Sequence, residues 1–373
     1  MNFFNLDRQY KLIQKKLIKN LLINFKKGDF IQGKNVKILE EKLLTYSDSK
    51  YCLSCGNGTD AIRIAINAIN IPKNSHIIVP SFTWISTASS VVESGMVPIF
   101  CDVEKSDFLM SVEKIKETLQ YAKKNKMNVK AIITVDLFGN PVEYKKIYKL
   151  CKKKNIFFIS DAAQSFGAKQ FGKYIGASLC DAMTTSFFPT KNIGGYGDGG
   201  AIFFNKVSTY NAAKIYAKNG QGTKGEIVSA GINSRLDTIQ SSVLIEKLKL
   251  LSKETRLKKK IFLLYKKLLN KKYFQVQKIN KNYESSFSVM TLKIIKKINR
   301  NLLMKYLKKE KIPFKVYYGK PLHKSKFYKT YPMMKMNNTE KLSSTTISVP
   351  IFPYLKSNEV KEICKKINFF FNL

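Results

Sequence analysis

"TTSFFPTKNIGGYGDGGAIF", residues 184–203, sets a single lysine between two runs with the character of buried strands. The first run is "CDAMTTSFF", residues 180–188, and the second is "GAIFF", residues 200–204. Lys191 lies between them, followed by five glycines within nine residues. Glycine lets backbone approach a ligand closely and permits positive φ. A lysine brought among apolar groups loses its proton more easily and becomes a nucleophile for carbonyls. This turn therefore calls for a sheet whose strand ends converge on a site.

The flanking chain predicts such a sheet. From residue 51 to about 204, short apolar runs alternate with helical patterns. "YCLSC", "HIIVP", "VPIFCDV", "KAIITVDL", "IFFISDAA", "CDAMTTSFF" and "GAIFF" read as strands. "DAIRIAINAI", "ISTASSVVESG", "SVEKIKETLQYAKKN" and "EYKKIYKLCKKKN" read as helices between them. The expected fold is α/β, with a mostly parallel seven-stranded sheet between helices. Residues 1–250 form this large domain, preceded by a helix in the first 30 residues, and residues 251–373 form a smaller C-terminal α+β domain. Ligands of such sheets bind at the carboxyl ends of the strands.

Composition narrows the function. The chain has 373 residues, 44% of them hydrophobic, which suits a globular core. It contains no long uncharged apolar run, so no membrane span is expected. Charged residues in the first apolar stretch argue against a signal peptide, and the expected location is cytoplasmic. The formal charge is +40, which raises nucleic acid as a partner. The lysines are spread along the chain, however, and no helix-turn-helix, finger or RNA-binding signature accompanies them, so none is expected. Their densest run, residues 247–281, alternates with Leu and Ile at helical spacing and reads as a solvated helix face. Cys52, Cys55, Cys101, Cys151, Cys180 and Cys364 are scattered, and only two histidines could join them, so buried thiols are expected rather than a metal site.

Four clusters fall at the strand ends. "GNGTDA", residues 56–61, leads into a helix, where free N–H groups beside Gly58 and Thr59 suit a phosphate. "VPSFTWIS", residues 79–86, carries the sole tryptophan, Trp84, as a core aromatic or as a flat face for a planar ligand. "FFISDAAQSFGA", residues 157–168, ends a buried strand on Asp161, a carboxylate that caps a helix or meets a cation, with Gln164 three residues on. The fourth is the opening stretch, with Ser186 and Lys191. Pyridoxal phosphate needs a lysine, a carboxylate at its ring nitrogen, an anion cradle and a flat group over the ring. Lys191, Asp161, "GNGT" with Ser186, and Trp84 supply each in turn.

These motifs resemble the DegT/StrS-type sugar-nucleotide aminotransferases, which are fold-type-I pyridoxal-phosphate enzymes. The resemblance runs from "FNLDRQY" and "FIQGKNVKILEEKL", through "SDAAQSFGA", "SFFPTKNIGGYGDGGAIF" and "GINSRLDTIQSSVL", to "KIPFKVYYGKPLHKSKFY" and "SVPIFPYL". It implies that Lys191 is the Schiff-base lysine, Asp161 the partner of the pyridine nitrogen, Gln164 the neighbour of the ring hydroxyl and Trp84 the stacking aromatic. It further implies that Thr59 and Ser186 bind the phosphate and that Asn233 does so from the other subunit of a homodimer. Arg235 is similar to a residue near the sugar, and Tyr317, Tyr318 and His323 fall in a stretch that lines the substrate pocket. Dehydratases of the family carry histidine in place of the lysine, so Lys191 points to amino transfer. The implied substrates are glutamate and a nucleoside-diphosphate keto-sugar, with motifs most like members acting on UDP-2-acetamido-3-oxo-glucuronate. The alternatives are a 4-oxo-sugar aminotransferase and a regulatory protein that binds the cofactor without turnover.

Overall fold

The computed structural model describes residues 2–223, 225–295 and 299–371. The chain opens with α1 (Asp7–Lys27) and α2 (Lys34–Leu44). Alternation then begins: β1 (Tyr51–Cys55), α3 (Gly58–Ala68), β2 (His76–Pro80), α4 (Ser86–Glu93), β3 (Val97–Cys101), α5 (Val112–Lys124), β4 (Val129–Val135), α6 (Tyr144–Lys154) and β5 (Phe157–Asp161). A two-residue pair, β6 (Lys169–Gln170) and β7 (Lys173–Tyr174), precedes β8 (Ala182–Ser186) and β9 (Gly200–Phe204). The sheet order is β1-β9-β8-β5-β4-β2-β3, and β9 alone runs against the rest.

Burial explains these elements. Every residue of β9 is buried, as are the last four of β2 and β5, because helices cover both faces. α3 buries Ala61, Ile62, Ile64, Ala65, Ile66 and Ala68, so its apolar face is nearly the whole helix. Asn57 caps it: its side chain accepts from the Asp60 N–H at 2.8 Å. α5 shows the amphipathic case, with Ile115, Thr118 and Ala122 inward and lysines outward. Four strands stop earlier than the apolar runs suggest, at Cys101, Val135, Asp161 and Ser186. These limits leave Asp161 and Ser186 as the final residues of adjacent strands.

After β9 come α7 (Val207–Tyr216), α8 (Thr238–Leu248) and α9 (Leu251–Leu268). Then follow β10 (Phe274–Val276), β11 (Tyr283–Glu284), β12 (Met290–Ile294), α10 (Arg300–Lys309), α11 (Asn337–Thr345), β13 (Thr346–Val349) and α12 (Ser357–Phe370). β10, β12 and β13 form a second, antiparallel sheet. Its core includes Ile261, Tyr265, Leu292, Leu303, Ile347 and Ile363. β11 leaves this layer and pairs with β6, which carries the following Ser285–Ser288 segment towards the end of the large sheet.

The lysine run corrects one expectation. Most of its members are exposed, but Lys247 is only 2% and Lys258 only 6% accessible. Among the described residues no helix is long and apolar enough to cross a membrane. All six cysteines are buried and free.

Candidate active site

A cavity of about 620 Å3 opens at the carboxyl ends of β5 and β8 and the N-terminus of α3. Gly58, Thr59, Trp84, Asp161, Gln164, Ser186, Lys191, Tyr317 and Tyr318 all line it. Residues up to 260 positions apart are thus gathered by the crossovers of the sheet and by the return of the C-terminal segment.

Lys191 rides a tight turn. Its N–H donates to the Phe188 carbonyl at 2.8 Å, and the Gly195 N–H donates to the Phe187 carbonyl at 2.6 Å. A Cβ at Gly194 would lie 2.1 Å from the Pro189 carbonyl oxygen, so no other residue fits that fold-back without moving it. The amine is held below its ordinary lysine value by burial, with Asp161 pulling the other way. No hydrogen bond among the described residues ends on Lys191 Nζ.

Asp161 is 6% exposed. One carboxylate oxygen accepts from Thr87 Oγ1 at 2.9 Å and the other from the Ala163 N–H at 3.1 Å. Burial raises its pKa, while these two donors and Lys191 oppose the rise. Gln164 has a fixed amide: its Oε1 accepts from the Phe138 N–H at 2.9 Å. Its Nε2 therefore faces the cavity, 3.4 Å from the Tyr318 hydroxyl.

The α3 end is built for an anion. Thr59 and Ser86 pair through their hydroxyls at 2.8 Å, and Ser186 Oγ accepts from the Phe188 N–H at 3.3 Å. The first N–H groups of a helix have no partner within it. Gly58 permits the approach, since a Cβ there would sit 2.7 Å from Ser186 Cβ. Trp84 is no core aromatic: it is 58% exposed, with its ring 6.2 Å from that of Tyr318.

Three residues stand elsewhere. Asn233 is exposed and its backbone bridges to Lys218. Arg235 is exposed too and lines a separate groove with Glu40 and Tyr210. His323 does not reach the cavity wall of this chain. It is 5% exposed, with Nδ1 2.6 Å from Ser81 Oγ and Nε2 3.3 Å from Glu340. Sequence reasoning missed Thr87, Phe138, Ser288 and Phe4. Thr87 is one hydroxyl among four in "STASS", and nothing local marks it as the one facing Asp161.

The residues fit pyridoxal phosphate. A free amine, a facing buried carboxylate, a flat aromatic and a hydroxyl-lined helix end with a glycine approach surround one space. Comparison with known proteins agrees. The chain matches the DegT/DnrJ/EryC1/StrS aminotransferase family over residues 11–368. It is 32% identical to a UDP-2-acetamido-2-deoxy-3-oxo-D-glucuronate aminotransferase of Pseudomonas aeruginosa, over 98% of each chain. It is 31% identical to a pleiotropic regulatory protein of Geobacillus stearothermophilus, over 98% of this chain and 97% of that one. A crystal structure of a DegT DnrJ EryC1 StrS aminotransferase from Brucella abortus superposes with a TM-score of 0.94 at 34% identity, over 99% of both chains. The chain belongs to the DegT/DnrJ/EryC1/StrS aminotransferase family and is an aminotransferase whose cofactor is pyridoxal 5'-phosphate.

Proposed function

We propose that the protein moves an amino group from glutamate to a nucleoside-diphosphate keto-sugar, with a UDP-linked 3-oxo sugar as acceptor, in the synthesis of a surface polysaccharide or glycan. The observation that carries the reading is the free amine of Lys191 and the buried carboxylate of Asp161 on one cavity. The acceptor rests on the likeness to the Pseudomonas aeruginosa enzyme.

When bound, pyridoxal phosphate supplies a carbonyl carbon that bonds an amine and a ring that takes up an electron pair. Lys191 would hold that group between turnovers. Burial favours its neutral amine, so with pyridoxal phosphate bound Nζ would serve as the base that takes the proton from the donor's α-carbon and as the acid that returns it to the former carbonyl carbon. Asp161 would keep a proton on the ring nitrogen. Its carboxylate is costly to bury alone, and a cationic ring nitrogen is the partner that keeps it ionised. Thr87 and the Ala163 N–H aim it. Gln164 Nε2 donates beside the ring hydroxyl. Gly58, Thr59, Ser186 and the α3 N-terminus would hold the phosphate, and Trp84 would supply the flat group over the ring.

A homodimer completes the reading. Asn233 and Arg235 lie outside the cavity of their own chain, which suits delivery of Asn233 to the phosphate, and Arg235 to the sugar diphosphate, across a two-fold interface. Tyr317 and Tyr318 line the sugar side.

The test is incubation with glutamate and a panel of 3-oxo and 4-oxo nucleotide sugars, with products read by mass spectrometry and the amine position by NMR. An amino sugar with matching 2-oxoglutarate is expected, the amine on C3. An amine on C4 would replace the 3-oxo acceptor by a 4-oxo one. The second reading, a regulatory role without turnover, rests on the likeness to the Geobacillus stearothermophilus protein. In that case the cofactor would bind and the whole panel would stay unreacted.

A further inference from the structure

Behind Lys191 lies a second, smaller cavity of about 50 Å3, lined by Lys191, Asn192, Lys247, Glu254 and Lys258 among others. Two ammonium groups and one carboxylate are buried here, with Lys247 at 2%, Glu254 at 3% and Lys258 at 6% exposure. Burying an ammonium costs several kcal/mol unless it is well partnered. Burial pushes Lys258 down to about 8, with Glu254 opposing. A surface run of lysines has no need of such a residue, so its contacts call for an explanation.

Lys258 Nζ donates to Asn192 Oδ1 at 2.8 Å. That bond decides which way the Asn192 amide faces. With its oxygen taken, Nδ2 must point away, and it donates to the carbonyls of Gln164 at 3.0 Å and Phe166 at 3.1 Å. Asn192 follows Lys191 directly, and Gln164 lies three residues after Asp161. The amide is therefore a stitch between the turn that bears the amine and the loop that follows the carboxylate. Nearby groups reinforce it. Ser286 Oγ donates to the same Gln164 carbonyl at 2.7 Å, and Lys247 Nζ stands 4.8 Å from the ring centre of Tyr196, on the far side of the lysine turn. Glu254 is itself held by Gln9 Nε2 at 2.9 Å and by the Tyr354 hydroxyl at 2.8 Å.

We propose that Lys258 is a positioning residue for the reaction: its ammonium orients the Asn192 amide, and through Asn192 the turn bearing Lys191 is held in register with the loop that bears Gln164 and follows Asp161 at the end of β5. The inference rests on the reading of Lys191 and Asp161 given above. Lys258 touches no reacting atom. Its effect runs through one amide, so the two residues are coupled and should not act independently.

The test is a double-mutant cycle on Lys258→Met and Asn192→Ala, with Lys258→Arg as the conservative variant. Three quantities are read. The first is the rate at which apoprotein captures pyridoxal phosphate, followed by absorbance and mapped to Lys191 after borohydride reduction. The others are kcat and KM with glutamate, and thermal unfolding. Loss of the partner that orients a metal ligand typically costs about 10- to 100-fold, and the same scale is expected for a partner behind the amine-bearing turn. Lys258→Met and Asn192→Ala should each slow capture and kcat by about that factor, with KM for glutamate changed less than about threefold. The double variant should be no worse than the poorer single one, and Lys258→Arg should recover most of the rate. Should Lys258→Met fail to fold, Asn192→Ala and Lys258→Arg carry the test. Multiplicative losses in the double variant would overturn the proposal. So would a lowered unfolding temperature with capture and kcat intact, or Asn192→Ala at wild-type rates. A wild-type adduct on another lysine would instead overturn the reading of Lys191, and the inference with it.

Discussion

Gly58→Ala separates the two walls of the proposed phosphate cradle by a calculable amount. The added methyl would lie 2.7 Å from Ser186 Cβ, 3.0 Å from Ser186 Oγ and 3.4 Å from Ser186 Cα. Carbon atoms rest comfortably at about 3.5–4.0 Å, so helix and strand must part by roughly 1 Å. β8 is paired on both sides, to β5 and β9, and cannot move alone. The start of α3 yields, taking Thr59 and the first N–H groups with it. Overpacking costs about 1–3 kcal/mol, while alanine regains up to about 1 kcal/mol of helix propensity over glycine. The fold should therefore persist. A shift of roughly 1 Å spoils hydrogen-bond geometry, and a bond to a charged group is worth about 1.5–3 kcal/mol. Affinity for pyridoxal phosphate should fall roughly 10- to 150-fold. The assay is titration of apoprotein with pyridoxal phosphate and, separately, with pyridoxal, beside thermal unfolding. The loss should fall on the phosphorylated compound alone. Unchanged affinity, or an equal loss for pyridoxal, would refute the assignment of this helix end to the phosphate.

Lys191→Ala should remain folded, hold the cofactor only loosely and lose turnover. Borohydride reduction of the wild type, read by peptide mass spectrometry, should put the adduct on Lys191, and an adduct elsewhere would sink the assignment. Asp161→Asn should lose most activity, because an amide cannot keep the ring nitrogen protonated. Burial raises the folded-state pKa of Asp161, so the ionised form is the costlier one in the apoprotein. The stability it takes away appears as pH rises from its unfolded value through the folded one. Apo Asp161→Asn should thus match or exceed wild type in thermal unfolding at neutral pH and lose that advantage in acid; the opposite pH trend would contradict the argument. Mixed Asn233→Ala and Lys191→Ala subunits should recover roughly a quarter of wild-type activity, since half the dimers are mixed and each has one intact site. No recovery despite proven subunit exchange would put Asn233 outside the neighbouring site.

Local chemistry made much of this site readable. Asp161 and Ser186 end apolar runs, so strand ends with polar tips were visible from the order of residues alone. Lys191 was visible because its glycines are useless except at a close approach. His323 was named from the family resemblance alone. Packing instead gives its ring to Ser81, 242 positions away in the chain, and to Glu340.

Alternation of strand and helix, the candidate amine and carboxylate, and the family were all legible in the sequence, because each depends on residue type and near-neighbour spacing. The choice among equivalent residues was not. Lys258 sits in "RLKKK", where Lys258, Lys259 and Lys260 read alike, and only the docking of α9 behind the lysine turn buries one and gives it Asn192, 66 positions away. Thr87 was chosen from its neighbours in the same way, by the seat of α4 beside the end of β5. Hydrogen bonds and burial are set by distance in space, and chain order does not carry that distance until the core has packed.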